Sequence, residues 1–430
     1  MSPQKIVVIG GSAAGPKTAS RARRLAPDAE ITIVQKGKHL SMASCGYPYY
    51  VGDTFNNRED LISSGLGVPR SPEFFEKAKG IRALVGTEAL SIDRENKTVA
   101  CRNVDSGEET VLEYDKLILT TGATPLRPPI ENLDAYGVTT LASMEDTDFL
   151  RQVCDEKKAT KAVVIGGGLI GLESCEALKE RGVDVTVVEF LPHVMSILDE
   201  ELSFMVEQHL KQKDIEIITG NGAAAILKDD AGKVRGVRLN DGTEIDCNIV
   251  VVAAGFRPNG QLAKKAGLKL GASGGIIVDE YMATSDPDIY AAGDCVEIIN
   301  LLTGERTPAF YGDLANIEGR VAAQNVTQGN KATFPGTWLT GIAKVFDFTV
   351  GTTGLSSKAA AGTFDIESVL YVGPDRPHFM GGGVLFMKMI ADKKTRKILG
   401  VQCVGPGEVS RRVASAAMAL HGGLTVEDLC

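Results

Sequence analysis

A strand, a glycine turn, a helix and a second strand occur in that order twice in this chain, and the repetition constrains the fold more than any other feature. Lys5–Ile9 is a short apolar run ending at Gly10; Gly11, Ser12, Ala13, Ala14 and Gly15 follow, then a helical stretch to about Leu25 and a second apolar run over Ile31–Val34. Lys161–Ile165 likewise runs into Gly166, Gly167, Gly168, Leu169, Ile170 and Gly171, a helix to about Arg181, and Val185–Val188. Each is a βαβ unit. One dinucleotide needs one such unit, so two units predict a protein that holds two dinucleotides.

The second turn fits G-x-G-x-x-G through Gly166, Gly168 and Gly171. Gly166 permits the tight turn, Gly168 lets the backbone approach a pyrophosphate, and Gly171 allows close helix–strand packing. The helix that follows offers N–H groups and a positive dipole end to phosphates. Glu189 ends the next strand, where a carboxylate accepts ribose hydroxyls and repels a 2′-phosphate; this favours NADH over NADPH. In the first turn Gly10 and Gly15 stand, but Ser12 replaces the middle glycine, and Gln35, followed by Lys36, sits where an acid is usual. Three further strand ends carry small turns: Thr121-Gly122, Gly255 and Gly293-Asp294. Asp294 suits a hydrogen bond to the ribityl chain of a flavin; the alternative is a simple turn aspartate.

The pattern gives an α/β chain with two Rossmann-like dinucleotide-binding domains and, after Asn330, a strand-rich α+β module. Expected strands there are 341–351, 368–372, 384–390 and 398–404, followed by a helix near 408–420. The proline-rich stretch from Pro125 to Pro129 reads as a hinge. The expected division is 1–120, 121–255, 256–330 and 331–430. A net charge of −9 argues against a nucleic-acid role driven by bulk charge. No apolar run reaches the length of a membrane span, and the N-terminus lacks the order of a secretory signal; a cytoplasmic location is expected.

The eight cysteines (45, 101, 154, 175, 247, 295, 403 and 430) contain no C-x-x-C pair, so neither a zinc site nor a dithiol is indicated. Cys45, in Ser41-Met-Ala-Ser-Cys45-Gly-Tyr-Pro-Tyr-Tyr50, closely follows the first βαβ unit. Gly46 and Pro48 suggest a turn into a helix, and a cysteine at a helix N-terminus has an enlarged thiolate fraction. Thiolate attacks disulfides and peroxides. No second cysteine lies within ten residues, so Cys45 either pairs with a substrate or cofactor thiol, cycles through sulfenic acid, or is an inert buried residue.

The Gly10–Gly15 turn, Ser41–Tyr50, Thr121-Gly122, Gly166–Gly171 with Glu173, Gly293-Asp294, and Ala315-Asn316 with Arg320 together resemble the single-cysteine branch of the pyridine nucleotide–disulfide oxidoreductases. Within it, the chain looks most like the coenzyme A–disulfide reductases and the NADH-dependent CoA-persulfide or polysulfide reductases. The resemblance implies bound FAD, NADH as reductant, a homodimer built through residues from about 334 onward, and Cys45 beside the flavin in a mixed disulfide with coenzyme A. By position it implies that Lys17, Arg21, Arg24, Ser41, Ser44 and Asn316 line the CoA site and that Ala89 contacts the adenine of FAD. Lys17, Arg21 and Arg24 recur on one helix face, as a phosphate patch or a solvated face would.

The first turn lacks the histidine of related NADH oxidases and peroxidases, which argues for disulfide or persulfide reduction. His421 and Glu427 do not match the His–Glu pair of the dithiol branch, and Phe346 or Phe348 stands near an expected tyrosine. Coenzyme A–disulfide reductases carry a tyrosine-bearing segment just past the position of Cys430, and the persulfide enzymes often carry a rhodanese domain without counterpart in these residues. The alternatives are an NADH oxidase or peroxidase using a cysteine sulfenic acid, and a flavin reductase of a small electron-transfer protein.

Overall fold

A computed structural model describes residues 3–429, so Met1, Ser2 and Cys430 lie outside the described residues. The chain divides into two compact units. One comprises the chain up to Cys45, Asn57–Thr124 and Phe256–Thr337; the other comprises Gly46–Asn56, Pro125–Gly255 and the chain from Trp338 onward.

The first unit is built on a five-stranded parallel sheet in the order Ile289–Ala291, Lys116–Leu119, Lys5–Ile9, Glu30–Val34, Arg82–Leu84. Lys5–Ile9 is central. Its Ile6 and Val8 are fully buried, as expected of a strand covered on both faces. The helix Ala14–Leu25 buries a stripe of small residues, Ala14, Thr18, Ala19 and Ala22, against the helix Gly312–Gln328. Small residues let these backbones approach: a Cβ at Gly319 would stand 2.8 Å from Ala14 O. A three-stranded antiparallel meander (Thr87–Asp93, Thr98–Asn103, Glu109–Glu113) completes the part of this unit that bears on the site.

The second unit repeats the design. Its parallel sheet runs Glu216–Ile218, Asp184–Val188, Lys161–Ile165, Ile249–Val252, Val138–Thr139. The parallel register pairs Ile165 with Val188 as Ile9 pairs with Val34 in the first unit. The C-terminal module has five antiparallel strands in the order Gly341–Val345, Phe348–Gly354, Ile398–Gly405, Val384–Asp392, Ile366–Pro374. The helix Val409–Gly422 lays Val409 and Val413 on Leu385 and Cys403. This is an α/β protein with two Rossmann-type sheets and a C-terminal α+β module.

The expected single strand over 341–351 is a hairpin instead. It turns at Phe346, whose φ of 54° is left-handed. Glu176 compensates by accepting the Phe346 N–H at 2.7 Å, and His209 stacks on Phe348 at 3.7 Å between ring centroids.

Candidate functional site

The two glycine turns have the same main-chain geometry. Gly10 and Gly166 have φ of 112° and 111°, and the N–H of each donates at 2.8 Å to the end of the next strand, at Val34 O and Val188 O. A Cβ on Gly10 would lie 1.9 Å from Thr120 O, and one on Gly166 2.3 Å from Ala253 O. Gly15 and Gly171 press on their own turns: a Cβ on either would lie 1.9 Å from the carbonyl oxygen of Gly10 or Gly166. Gly168 differs, since a Cβ there meets no protein atom within 4 Å; the matching residue in the first turn, Ser12, carries an exposed side chain.

Neither helix that leaves these turns is capped by a side chain: Ala13 and Gly168 occupy the cap positions. Ser71 and Ser143, by contrast, each close a helix start elsewhere by accepting a first-turn N–H. The uncapped amides around Ala13, Ala14 and Gly15, and around Leu169, Ile170 and Gly171, are therefore available to an anion.

At the end of the second strand of each unit a side chain closes on the turn. Gln35 Oε1 accepts the Gly11 N–H at 2.8 Å. Glu189 accepts from Gly167 N through Oε2 and from Leu191 N through Oε1, both at 2.7 Å. Lys36 pairs with Glu88 at 3.0 Å. Ala89 follows on the strand Thr87–Asp93, at a register shift between Ala89 and Ser91, and that strand is tied to Gln35 by Thr87 N–H at 2.9 Å.

Thr121 and Gly122 are knitted to Asn259. Thr121 Oγ1 donates to Asn259 O and Asn259 Nδ2 donates to Thr121 O, both at 2.8 Å, and Asn259 N donates to Gly122 O at 2.9 Å. Gly293, at φ 82°, sits over the start of the first helix, where an added Cβ would be 3.1 Å from Ala14 Cβ. Asp294 follows, half-buried; burial pushes its carboxyl up to about 6 against the pull of its own backbone N–H. In the second unit, Gly255 (φ 103°) accepts from Leu126 N–H at 2.8 Å, and Glu173 lies on the helix Leu169–Glu180 in a cleft with Pro48, Tyr49 and Glu176, its carboxyl pushed up to about 7 by burial and by the Glu176 charge.

Cys45 is exposed, whereas the other six described cysteines are buried. It lies in the short 3-10 turn Ser44–Gly46, and Pro48 occupies the first turn of the helix Tyr47–Val51. The loop before it hangs from the first glycine turn: Ser41, at φ 53°, donates its N–H to Gly11 O at 2.7 Å, and Ala43 N–H donates to Leu61 O at 2.7 Å. Arg70 clamps the same loop, donating to Ser41 O at 3.2 Å and Ser41 Oγ at 3.1 Å.

Arg70 also belongs to a cluster of cations. Lys17 is pushed below the usual lysine range by burial and by the charges of Arg320, Arg24 and Arg70; Lys79 is lowered by burial, Arg24, Arg70 and Lys17. Like charges held this close are relieved by a bound polyanion. Sequence reasoning placed Lys17, Arg21 and Arg24 but missed Arg70 and Lys79, which arrive from a distant segment with no motif. Asn316 Nδ2 donates to Gly312 O of its own helix at 2.6 Å, and Ser44 is exposed in the turn with Cys45.

The residues present fit two dinucleotides. Both turns pair backbone cradles that exclude a Cβ with uncapped helix starts, and the first adds the half-buried Asp294 carboxyl.

Comparison with known proteins agrees with this geometry. Residues 4–310 match the pyridine nucleotide-disulphide oxidoreductase family, and residues 341–430 match the dimerisation domain of that family. The NADH oxidase of Methanocaldococcus jannaschii is 34% identical over 99% of this chain and 93% of its own length. The CoA-dependent NAD(P)H sulfur oxidoreductase of Pyrococcus furiosus is 33% identical over 100% of this chain and 94% of its own. Among solved structures, an NAD-dependent persulfide reductase from A. fulgidus is similar with a TM-score of 0.96 and 43% identity, covering 99% of this chain and 78% of that one. The chain belongs to the pyridine nucleotide-disulphide oxidoreductase family and is an FAD- and NAD(H)-dependent oxidoreductase.

Proposed function

We propose that this oxidoreductase uses NADH to reduce CoA disulfide, CoA persulfide or polysulfide, with Cys45 as the sulfur that meets the substrate. The observation that carries the reading is the setting of Cys45: an exposed thiol on a loop tied to Gly11 of the first glycine turn and clamped by Arg70 of the cation cluster. In this reading residues 1–120 and 256–330 hold FAD, 121–255 hold NADH, and 331–430 join two copies in a cytoplasmic homodimer. The edge strand Ile366–Pro374 supports the last point, since it exposes Val369, Leu370, Tyr371 and Val372 in a row. An uncovered apolar edge of this kind pairs readily with a second copy.

FAD, when bound, supplies the acceptor for a hydride from NADH and the electron pair for a disulfide. The amides at Ser12, Ala13, Ala14 and Gly15 bind its pyrophosphate, Gly11 shapes the turn with its N–H on Gln35, and Gln35, Lys36, Ala89, Thr121, Gly122, Gly293 and Asp294 hold the remainder. Gly166, Gly168, Leu169, Ile170 and Gly171 take the pyrophosphate of NADH, with Glu173, Glu189 and Gly255 around it. Lys17, Arg21 and Arg24, joined by Arg70, Lys79 and Arg320, neutralise the phosphates of CoA; Ser41, Ser44 and Asn316 line that site. The Cys45 thiolate attacks one sulfur of CoA disulfide, so that one S–S bond forms, one breaks, and a CoA thiolate leaves and takes up a proton. Two electrons from NADH then cleave the mixed disulfide, releasing the second CoA thiol and restoring the Cys45 thiolate.

Cys45→Ser tests this. NADH consumption with CoA disulfide should vanish while the visible flavin absorbance persists. Turnover of CoA disulfide by the variant at the wild-type rate would overturn the mechanism. Some relatives are named NADH oxidase, so oxygen uptake is measured in parallel; uptake faster than disulfide reduction would move the reading to that reaction.

A further inference from the structure

Glu318 lies on the helix Gly312–Gln328, is only 1% exposed, and takes part in none of the steps above. Its Oε2 accepts the Gly293 N–H at 2.6 Å. A buried carboxyl is costly unless its bonds repay the lost hydration. Burial pushes Glu318 up to about 7 against the pull of the Gly293 N–H, and the nearby Asp294 and Asp313 charges add to the rise.

Three features place this acid at the flavin side of the first unit. Gly293 is left-handed and packed between Ala14 and Ala315, where an added Cβ would lie 3.1 and 3.5 Å from theirs. Gly319, the neighbour of Glu318, is pressed on Ala14 O and Thr18 Oγ1, which fixes the helix against the first glycine turn. The residue after Gly293 is Asp294, a half-buried carboxyl that receives its own backbone N–H. The Gly293 N–H is thus the handle by which the helix Gly312–Gln328 sets the direction of the Asp294 turn.

We propose that Glu318 is a positioning residue for the flavin: its carboxyl fixes the Gly293–Asp294 turn beside Ala14, and Asp294 makes the contact. The inference rests on the reading that the first unit holds FAD. It does not require Glu318 to touch the cofactor.

The test uses the full-length holoenzyme, diluted so that FAD release is followed by the rise in free-flavin fluorescence, with thermal unfolding recorded for each variant. Glu318→Ala leaves a buried N–H without its acceptor and should release FAD about tenfold faster, the order expected for losing one charge-assisted hydrogen bond. Glu318→Gln keeps an acceptor oxygen at the same reach and should restore release to near the wild-type rate. In an Asp294→Ala background, Glu318→Ala should add nothing, because the two act through one contact. Wild-type release from Glu318→Ala, failure of Gln to rescue, or full additivity with Asp294→Ala would each overturn the proposal. If Glu318→Ala does not fold, Glu318→Asp, one methylene shorter, takes its place with the same expected acceleration. If the wild-type chain itself holds no FAD, the proposed function falls and this inference with it, an outcome distinct from a flavin-loaded protein in which Glu318→Ala leaves release unchanged.

Discussion

The glycines of the second turn divide into those the fold requires and one that only the proposed NADH site requires, and two substitutions separate these roles. An alanine Cβ at position 171 would lie 1.9 Å from Gly166 O, where ordinary contact begins near 3.4 Å. The clashing atom is main chain inside a turn already at φ 111°, so no side-chain rotamer can relieve it. Overpacking costs about 1–3 kcal/mol, and a rigid backbone partner puts this case near the top of that range. For a cooperative unit of this size, about 3 kcal/mol lowers Tm by roughly 6–12 °C.

At position 168 the added methyl meets no protein atom within 4 Å, and φ −79°, ψ −174° suits alanine. Gly168→Ala should therefore melt within about 2 °C of the wild type. The methyl would nonetheless stand over the uncapped helix start, so NADH binding should weaken at least about tenfold. Scanning fluorimetry of the flavin-loaded protein without NADH, followed by an NADH titration, reads both quantities. If Gly171→Ala melts with the wild type, the packing argument fails. If Gly168→Ala binds NADH unchanged, the open space above Gly168 is not where the pyrophosphate sits.

Other expectations follow from buried charges, thiols and the exposed edge. Lys388 is 7% exposed and pairs with Asp199 at 2.8 Å and with Glu201. Burial raises Asp199, but hydrogen bonds from Lys388 and Ser357 outweigh it and hold the carboxyl below its usual range. A depressed carboxyl stabilises the fold above its unfolded pKa, near 4, and that contribution is lost as pH falls through the lower folded value. Lys388→Met should cost about 3 kcal/mol at pH 7 in urea unfolding and progressively less below pH 4, whereas an equal loss at both would contradict the pairing. Maleimide at pH 8 should label Cys45 ahead of five described cysteines, because burial pushes Cys101 and Cys295 up to about 11 and Cys175, Cys247 and Cys403 up to about 12; early labelling of any of these five, seen by peptide mapping, would show the site misassigned. Val372→Asp on the edge strand should halve the mass seen by light scattering, and an unchanged mass would place the dimer contact elsewhere.

What was legible in the sequence was local. The glycine turns could be read because each glycine answers to an atom a few residues away or at a neighbouring strand end, such as Gly10 O for Gly15. The prominence of Cys45 came from its closeness in sequence to the first turn. Arg70 and Lys79 could not be read in this way, since they join Lys17 and Arg24 only through folding. Glu318 left a faint trace: an acid on the same small-residue face as Ala315, Gly319 and Ala322, where a solvent-facing residue is not expected. The hairpin at Phe346 left none, because an aromatic residue gives no warning of a left-handed turn. Its conformation depends on the distant Glu176 carboxylate.

The departure at Gln35 gains a physical meaning beside Glu189. Both side chains spend one oxygen on the second amide of their glycine turn, so both are fixed by the same local demand rather than by a nucleotide. They differ in what remains. Glu189 presents a carboxylate whose two oxygens each accept one backbone N–H and keep lone pairs for hydroxyl donors; a further phosphate near it meets a negative charge that cannot donate. Gln35 keeps an NH2 group and no charge, and therefore offers a donor without repelling an anion. The chain thus carries one turn geometry twice with opposite electrostatic character at the ribose end. In the proposed assignment, discrimination against an extra phosphate falls to the second turn, where NADH would come and go, and is missing from the first, where a cofactor held throughout the cycle would not require it.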